Sequence, residues 1–215
     1  PAIDLAIQEV PKKARSRGIA SETIFGSHDF GFACWRVERL GMKVILGLIV
    51  GNSPAAIAPF GGSTLIFRTN PIAFAAPRHR THPLVIGLSL SQVARGKVMV
   101  AAKEGQSIPE GWGLDQDGQP TTDPKAVLQG SMLPMGGVKG AALVLLVEIL
   151  AAALGGAHFG FEASSFFDAE GEPPAVGQTL LCIDPQLFSG EGFSNRPEVL
   201  LEQILMQEGT RIPGT

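Results

Sequence analysis

A mixed α/β fold without a regular strand–helix–strand rhythm is predicted by three features of the sequence. The run Val44 to Val50 is apolar nearly throughout and reads as a strand buried on both faces. Lys139 to Leu154 is the longest helical pattern, entered from Pro134-Met135-Gly136-Gly137 and closed by Gly155. Between them, Gly51 to Pro77 is broken by Asn52-Ser53-Pro54, Pro59, Gly61-Gly62, Asn70-Pro71 and Pro77, which leaves room only for short strand pieces.

The remaining elements follow in chain order. Residues 2–16 lack turn signals and read as a helix that Pro11 should kink, because proline removes an interior hydrogen bond; Gly18 ends it. Ile19 to Phe25 suits a short strand and Cys34 to Leu40 a helix. Thr64 to Phe67 and Ile72 to Ala75 are strand pieces, and Leu84 to Leu90 is a further strand. Val93 to Lys103 reads as a helix, and the polar, turn-rich Ile108 to Pro124 as a surface loop or hairpin. Thr179 to Asp184 is a late strand and Pro197 to Gln207 a last amphipathic helix.

Composition narrows the function classes. The chain has 215 residues, 45% hydrophobic and 17% charged, which excludes disorder as its main character. Its 27 glycines and 16 prolines follow no period, so collagen is excluded and many turns are expected. A net charge of −3 offers no basic footprint for nucleic acid. Two cysteines fit a reducing compartment better than a disulfide scaffold. Pro1 is followed by no charged-then-apolar leader. The apolar run Ala141 to Ala157 is interrupted by Glu148 and Gly155-Gly156, short of the roughly 20 apolar residues a bilayer requires. The expectation is a cytoplasmic protein with a buried core helix and no membrane partner.

Gly136-Gly137-Val138-Lys139-Gly140 leads directly into the long helix. Free N–H groups and the helix dipole there favour an anion, and Lys139 adds a point charge, which suits a nucleotide phosphate. On spacing alone, the glycines could equally serve only to bend the loop, with Lys139 as a solvated first-turn residue. The segment is not a Walker A loop, and no G-x-G-x-x-G occurs. Gly26-Ser27-His28-Asp29-Phe30-Gly31 gathers a hydroxyl, an imidazole and a carboxylate between glycines. Neighbouring side chains of an extended segment point apart, which argues against a His28–Asp29 dyad. Arg68-Thr69-Asn70-Pro71 reads either as turn chemistry or as a carboxylate or phosphate contact. His79 and His82 have no acidic or cysteine partner nearby and read as surface residues, so no metal site is expected. Trp35 and Trp112 read as packing residues.

Taken in order, seven segments resemble a known family: Gly51-Asn52-Ser53-Pro54-Ala55-Ala56, Thr69-Asn70-Pro71-Ile72-Ala73-Phe74-Ala75-Ala76-Pro77, Ala94-Arg95-Gly96-Lys97-Val98, Ile108-Pro109-Glu110-Gly111-Trp112, Pro120-Thr121-Thr122-Asp123-Pro124, Leu133-Pro134-Met135-Gly136-Gly137-Val138-Lys139-Gly140 and Arg211-Ile212-Pro213-Gly214. The chain is similar along its whole length, residues 1–215, to the malate/L-lactate dehydrogenase-like NAD(P)-dependent oxidoreductases. Among these it looks most like the Δ1-piperideine-2-carboxylate/Δ1-pyrroline-2-carboxylate reductases. The resemblance implies a non-Rossmann NAD(P)-binding fold with a predominantly antiparallel sheet flanked by helices, in a homodimer. It implies that NADPH (or NADH) is contacted by Asp29, Phe30, Gly31, Phe32, Ala33, Leu88, Ser89, Val138, Lys139, Gly140 and Arg211 with the residues up to Gly214, and that Thr69 contacts the substrate carboxylate.

This sequence departs from the family pattern at three places. Asp29 stands where the family has His, Gly87 where it has Asp, and Arg68 where it has Gly. By the same resemblance the chain begins after an opening segment whose His-Gly motif serves proton transfer and stops before the usual closing residues. The catalytic residues are therefore unknown, and the expectation for the isolated chain is little turnover. The activity implied is reduction of a cyclic imino acid by NAD(P)H. The alternatives are a dehydrogenase of 2-hydroxy acids such as malate, lactate or ureidoglycolate, or a non-catalytic nucleotide-binding remnant.

Overall fold

The computed structural model describes residues 2–166 and 171–213. Helix α1 (Ala2–Arg17) leads into strand β1 (Ile19–Ser27), followed by α2 (Ala33–Gly41), β2 (Leu46–Gly51), β3 (Ile72–Ala76), β4 (Leu84–Leu88) and α3 (Arg95–Glu104). Next come β5 (Gly113–Leu114), α4 (Pro124–Gln129), β6 (Ser131–Met132) and α5 (Val138–Glu148), which runs on as a π-helical turn, Ile149–Ala153. Strand β7 (Val176–Ile183), the short α6 (Gln186–Ser189) and α7 (Asn195–Leu205) complete the order.

Among the described residues the main sheet has the order β1-β7-β2-β3-β4, with every ladder antiparallel; β5 and β6 form a separate pair. The antiparallel sheet anticipated from the family resemblance is therefore present. One face carries α1 and α2, whose Ile3, Ile7, Val10, Val37 and Leu40 pack on Ile49, Leu180 and Cys182. The other carries α5, whose Val144, Val147 and Ala151 pack with Val50 and Leu90. Helices on both sides explain why β2 is apolar on both faces: Ile49 faces one layer and Val50 the other. A satellite core of Ile57, Val98, Val127 and Met132 ties α3 and α4 to the sheet's flank.

Several expectations are corrected. Helix α1 continues through Pro11, and the Ile7 carbonyl that loses its helical donor accepts from Lys43 Nζ at 2.9 Å. Val44 lies outside β2; it sits at φ 59° in the turn that closes α2, where its N–H reaches the Gly41 carbonyl at 2.9 Å. Thr64 to Phe67 forms no strand, only a bridge between Phe67 and Ile57. Helix α4 was missed, although Asp123 caps it by accepting from Lys125 N at 2.9 Å and Pro124 opens its first turn. Trp112 packs on the satellite core, but Trp35 does not pack inside: it is 54% exposed and lies under the guanidiniums of Arg36 and Arg39. His79 and His82 are exposed.

The outer face of α5 and its π turn is apolar and exposed at Val138, Leu143, Leu145, Leu146, Ile149 and Leu154. Among the described residues no helix is long and apolar enough to cross a membrane.

β7 is seated tightly against the π turn. The wider turn leaves the Leu150 carbonyl to accept from Thr179 Oγ1 at 2.5 Å. A β-carbon on Gly177 would stand 1.9 Å from the Ala151 carbonyl oxygen. Gly177→Ala is therefore expected to lower stability by about 1–3 kcal/mol, seen as a lower urea midpoint at unchanged slope.

Candidate active site

The strand order brings the site together. Because β1 and β2 both pair antiparallel with β7, they run the same way and end at one edge of the sheet, where β3 begins. The segments that follow β1, follow β2 and precede β3 therefore meet. They enclose a cavity of about 160 Å3 lined by His28, Asp29, Phe30 and Gly31, by Asn52 and Ser53, by Arg68, Thr69 and Pro71, and by Phe166.

Each wall has a local cause. Gly31 adopts φ +77°, and its N–H donates to Asp29 Oδ1 at 2.8 Å, so the carboxylate folds back over its own turn. The Asp29 N–H donates to His28 Nδ1 at 2.7 Å, which places the proton of a neutral His28 ring on Nε2. The two side chains thus make no dyad, in keeping with their divergent directions. The Phe30 ring covers Gly51, where a β-carbon would meet it at 2.7 Å. The Ser53 hydroxyl is buried and has no hydrogen-bond partner among the described residues. Ser53 is one of the residues that line the cavity.

Behind the cavity stands Glu148, the one carboxylate in the apolar helix α5. Its Oε1 accepts from Asn52 Nδ2 at 2.9 Å and Gly160 N at 2.6 Å, and its Oε2 from Asn70 Nδ2 at 2.6 Å. Asn52 also donates to the His158 carbonyl and accepts from Gly177 N, each at 2.8 Å. Asn70, at φ 31°, donates as well to the Val144 carbonyl at 3.2 Å. Burial pushes the Glu148 carboxyl above its ordinary value, and the donated hydrogen bonds recover only part of that shift.

A backbone ladder connects the cavity to the glycine-lined start of α5. The Thr69 carbonyl accepts from Leu90 N at 2.7 Å, and the Leu90 carbonyl from Met135 N at 2.9 Å, four residues before Lys139. Leu88 and Ser89 thereby run beside the approach to Val138-Lys139-Gly140. Ser91 gives its hydroxyl proton to the Val93 carbonyl at 2.7 Å, so across the 2.8 Å Ser89–Ser91 contact Ser89 is the donor. Gly136 and Gly137 adopt φ near +65°, no side chain caps the helix, and Lys139 is exposed. A β-carbon at Gly140 would lie 1.7 Å from the Met135 carbonyl oxygen, so this turn closes only on glycine. Uncapped N–H groups, the dipole and an ammonium form a donor set suited to a cofactor phosphate.

The residues expected to meet the cofactor and substrate thus fall into two linked groups: Asp29, Phe30, Gly31 and Thr69 at the cavity, and Leu88, Ser89, Val138, Lys139 and Gly140 along the ladder. Phe32 is 75% exposed and Ala33 packs on the core beside them. Arg211 is exposed and lines none of the cavities described; Gly214 lies outside the described residues. The Gly87 departure has a packing partner, since a β-carbon there would stand 1.9 Å from Cys34 Sγ. Ser53, Phe166 and the Glu148 hub were missed. The available signal was Glu148 itself, a lone carboxylate in an apolar helix, which must have donors waiting. No three His, Cys, Asp or Glu side chains cluster as a metal site among the described residues.

The fully antiparallel main sheet is not a Rossmann sheet. The model of the malate/L-lactate dehydrogenase family matches residues 1–215, and the chain belongs to that family. It is 53% identical over 215 residues to the (2R)-3-sulfolactate dehydrogenase (NADP(+)) of Chromohalobacter salexigens, covering 100% of this chain and 64% of that protein. It is 44% identical over 219 residues to a Δ1-pyrroline-2-carboxylate/Δ1-piperideine-2-carboxylate reductase of Pseudomonas putida, covering 100% of this chain and 63% of that one. The crystal structure of Δ1-piperideine-2-carboxylate reductase from Pseudomonas syringae superimposes with a TM-score of 0.92 at 41% identity, over 100% of this chain and 65% of that chain. The chain thus spans slightly under two thirds of the length of the relatives it matches.

Glu148→Ala would leave three buried N–H donors without an acceptor and is expected to cost on the order of 3 kcal/mol at neutral pH, read by urea unfolding. Because the folded-state carboxyl titrates above the unfolded one, near 4.5, its stabilising share is complete below that pH. It is lost as pH rises through the raised folded value. The stability difference between wild type and Glu148→Gln should therefore shrink from acid toward neutral pH; a difference that grows would contradict this assignment.

Proposed function

We propose that the protein containing this chain is an NADP(H)-linked oxidoreductase acting at C2 of a small carboxylic acid, interconverting a 2-hydroxy acid with its 2-oxo acid. The observation that supports this best is the continuity between a small polar cavity, lined by Thr69 and Ser53, and the uncapped glycine start of α5 bearing Lys139. When bound, the cofactor supplies or takes the hydride, and a proton accompanies it. Lys139 and the first N–H groups of α5 hold phosphate; the Leu88–Ser89 edge and the Asp29–Ala33 turn border the cofactor, with Arg211 retained as a further contact from the family resemblance. Thr69 and Ser53 hold the substrate carboxylate, and the Glu148 hub keeps their segments in place. The similarity to the sulfolactate dehydrogenase sets the hydroxy-acid reading first. The similarity to imino-acid reductases supports a second reading, reduction of Δ1-piperideine-2-carboxylate or Δ1-pyrroline-2-carboxylate at the same carbon. The proposal includes a homodimer, for which the exposed apolar face of α5 offers a surface to bury.

The test is NADPH oxidation by the full-length protein, followed by the absorbance of NADPH, with a panel of 2-oxo acids and both cyclic imino acids. Turnover of 2-oxo acids supports the first reading, turnover of imino acids alone the second, and turnover of neither overturns both. Lys139→Gln is expected to raise the KM for NADPH about tenfold, equivalent to about 1.4 kcal/mol.

A further inference from the structure

At the end of the sheet remote from the Thr69 cavity, the turn between β3 and β4 stands beside the turn that leads from α2 into β2. Both lie there because β3 pairs antiparallel with β2 and with β4, so β2 and β4 begin where β3 ends. Together the turns line a cavity of about 540 Å3. Its apolar part is Met42 and Val44 from one turn, 66% and 46% exposed, with Pro77 and Pro83 from the other. Its polar part is Arg78, Arg80, Thr81 and His82, and among the described residues no acidic side chain lines it.

The segment Pro77-Arg78-His79-Arg80-Thr81-His82-Pro83 concentrates basic side chains in a chain whose net charge is −3. Proline restricts its backbone at both ends. One cation is already matched. Arg78 donates from Nε at 2.9 Å and from Nη2 at 2.7 Å to the two carboxylate oxygens of Glu198 in α7, and the His79 N–H joins them at 3.3 Å. By contrast, the side chains of Arg80, Thr81 and His82 have no hydrogen-bond or ion-pair partner among the described residues. Arg80 also holds a left-handed backbone, φ 54°, which glycine would adopt without steric cost. Backbone conformation therefore does not account for an arginine at this position.

A cavity of this volume holds one small molecule. A guanidinium, a hydroxyl and an imidazole on three successive residues can donate to three different oxygens, whereas the planar carboxylate of Glu198 is satisfied by the fork of Arg78 alone. A tetrahedral phosphate offers three such oxygens. The exposed Met42 and Val44 favour an apolar body attached to it.

We propose that this cavity binds a small organic phosphate monoester, its phosphate on Arg80, Thr81 and His82 and its apolar body on Met42 and Val44. The site is separate from the start of α5 and does not depend on the oxidoreductase reading.

The experiment titrates phenyl phosphate, phenylacetate and inorganic phosphate into the full-length protein by isothermal titration calorimetry, in wild type, Arg80→Gly, Arg80→Gln, His82→Ala and Lys139→Gln. The wild type is expected to bind phenyl phosphate about tenfold more tightly than either of the other two. Arg80→Gly removes the guanidinium and suits the left-handed backbone, so its urea midpoint should stay about the same while its affinity for phenyl phosphate falls about 10- to 100-fold. Arg80→Gln, a side chain without the charge, should weaken binding comparably and decides the matter if the glycine variant misfolds. His82→Ala should cost about threefold to tenfold. Lys139→Gln, which alters the other candidate anion site, should leave the affinity unchanged. Loss of binding in Lys139→Gln with retention in the Arg80 variants places the phosphate at α5 and overturns the proposal. So does a wild type that does not bind phenyl phosphate at about 10 mM. Tighter binding of phenylacetate overturns the assignment to phosphate, and equal binding of inorganic phosphate overturns the apolar contact.

Discussion

A single buried carboxylate holds the candidate site together. Glu148 ends a helix that from Ala141 onward is made only of Ala, Leu and Val, where leaving a charge without partners would be prohibitive. Being acceptor-only, it can collect several donors at once, and the three it collects come from different parts of the chain. Asn52 precedes Ser53, Asn70 follows Thr69, and Gly160 begins the segment that reaches Phe166. Fastening these three backbones to one rigid helix fixes the distances across the cavity without placing the carboxylate inside it.

The layered architecture makes that arrangement affordable. With helices on both faces of an antiparallel sheet, the centre of the molecule is dry and β2 and β7 are rigid on both sides. The carboxylate of the hub then accepts its donors in a low dielectric, where hydrogen bonds are strong and specific. The π turn that follows Glu148 opens a carbonyl for Thr179 and leaves a groove that Gly177 occupies. One irregularity in one helix thus sets the seat of the central strand.

The two halves of the site differ in physical character. The glycine start of α5 is open, with uncapped backbone N–H groups and the exposed Lys139 ammonium beside them. The cavity at the end of the sheet is partly open, bordered by the exposed His28 and Asp29 and by the half-buried Thr69, with the buried Arg68 over the Phe166 ring.

Local sequence signals carried much of the fold. Turn residues, helix caps and apolar runs placed most strands and helices within a few residues, because these depend on neighbours a few positions away. Asp123-Pro124 shows that even a missed helix, α4, was marked in its cap. Sequence alone could also mark the Gly136–Gly140 segment as a candidate anion site, since a helix start and its lysine are contiguous in the chain. It could not show that Pro11 would be accommodated by Lys43, that Thr69 is joined through Leu90 to the approach of Lys139, or that Glu148 would meet Asn52 and Asn70. Each of these pairs residues distant in sequence, and their proximity follows from antiparallel pairing and layer packing. Composition and local pattern determined which segments could bind; the order of strands in the sheet decided which of them meet, because only the closed tertiary structure sets the field and solvent exclusion that a buried arginine or glutamate experiences.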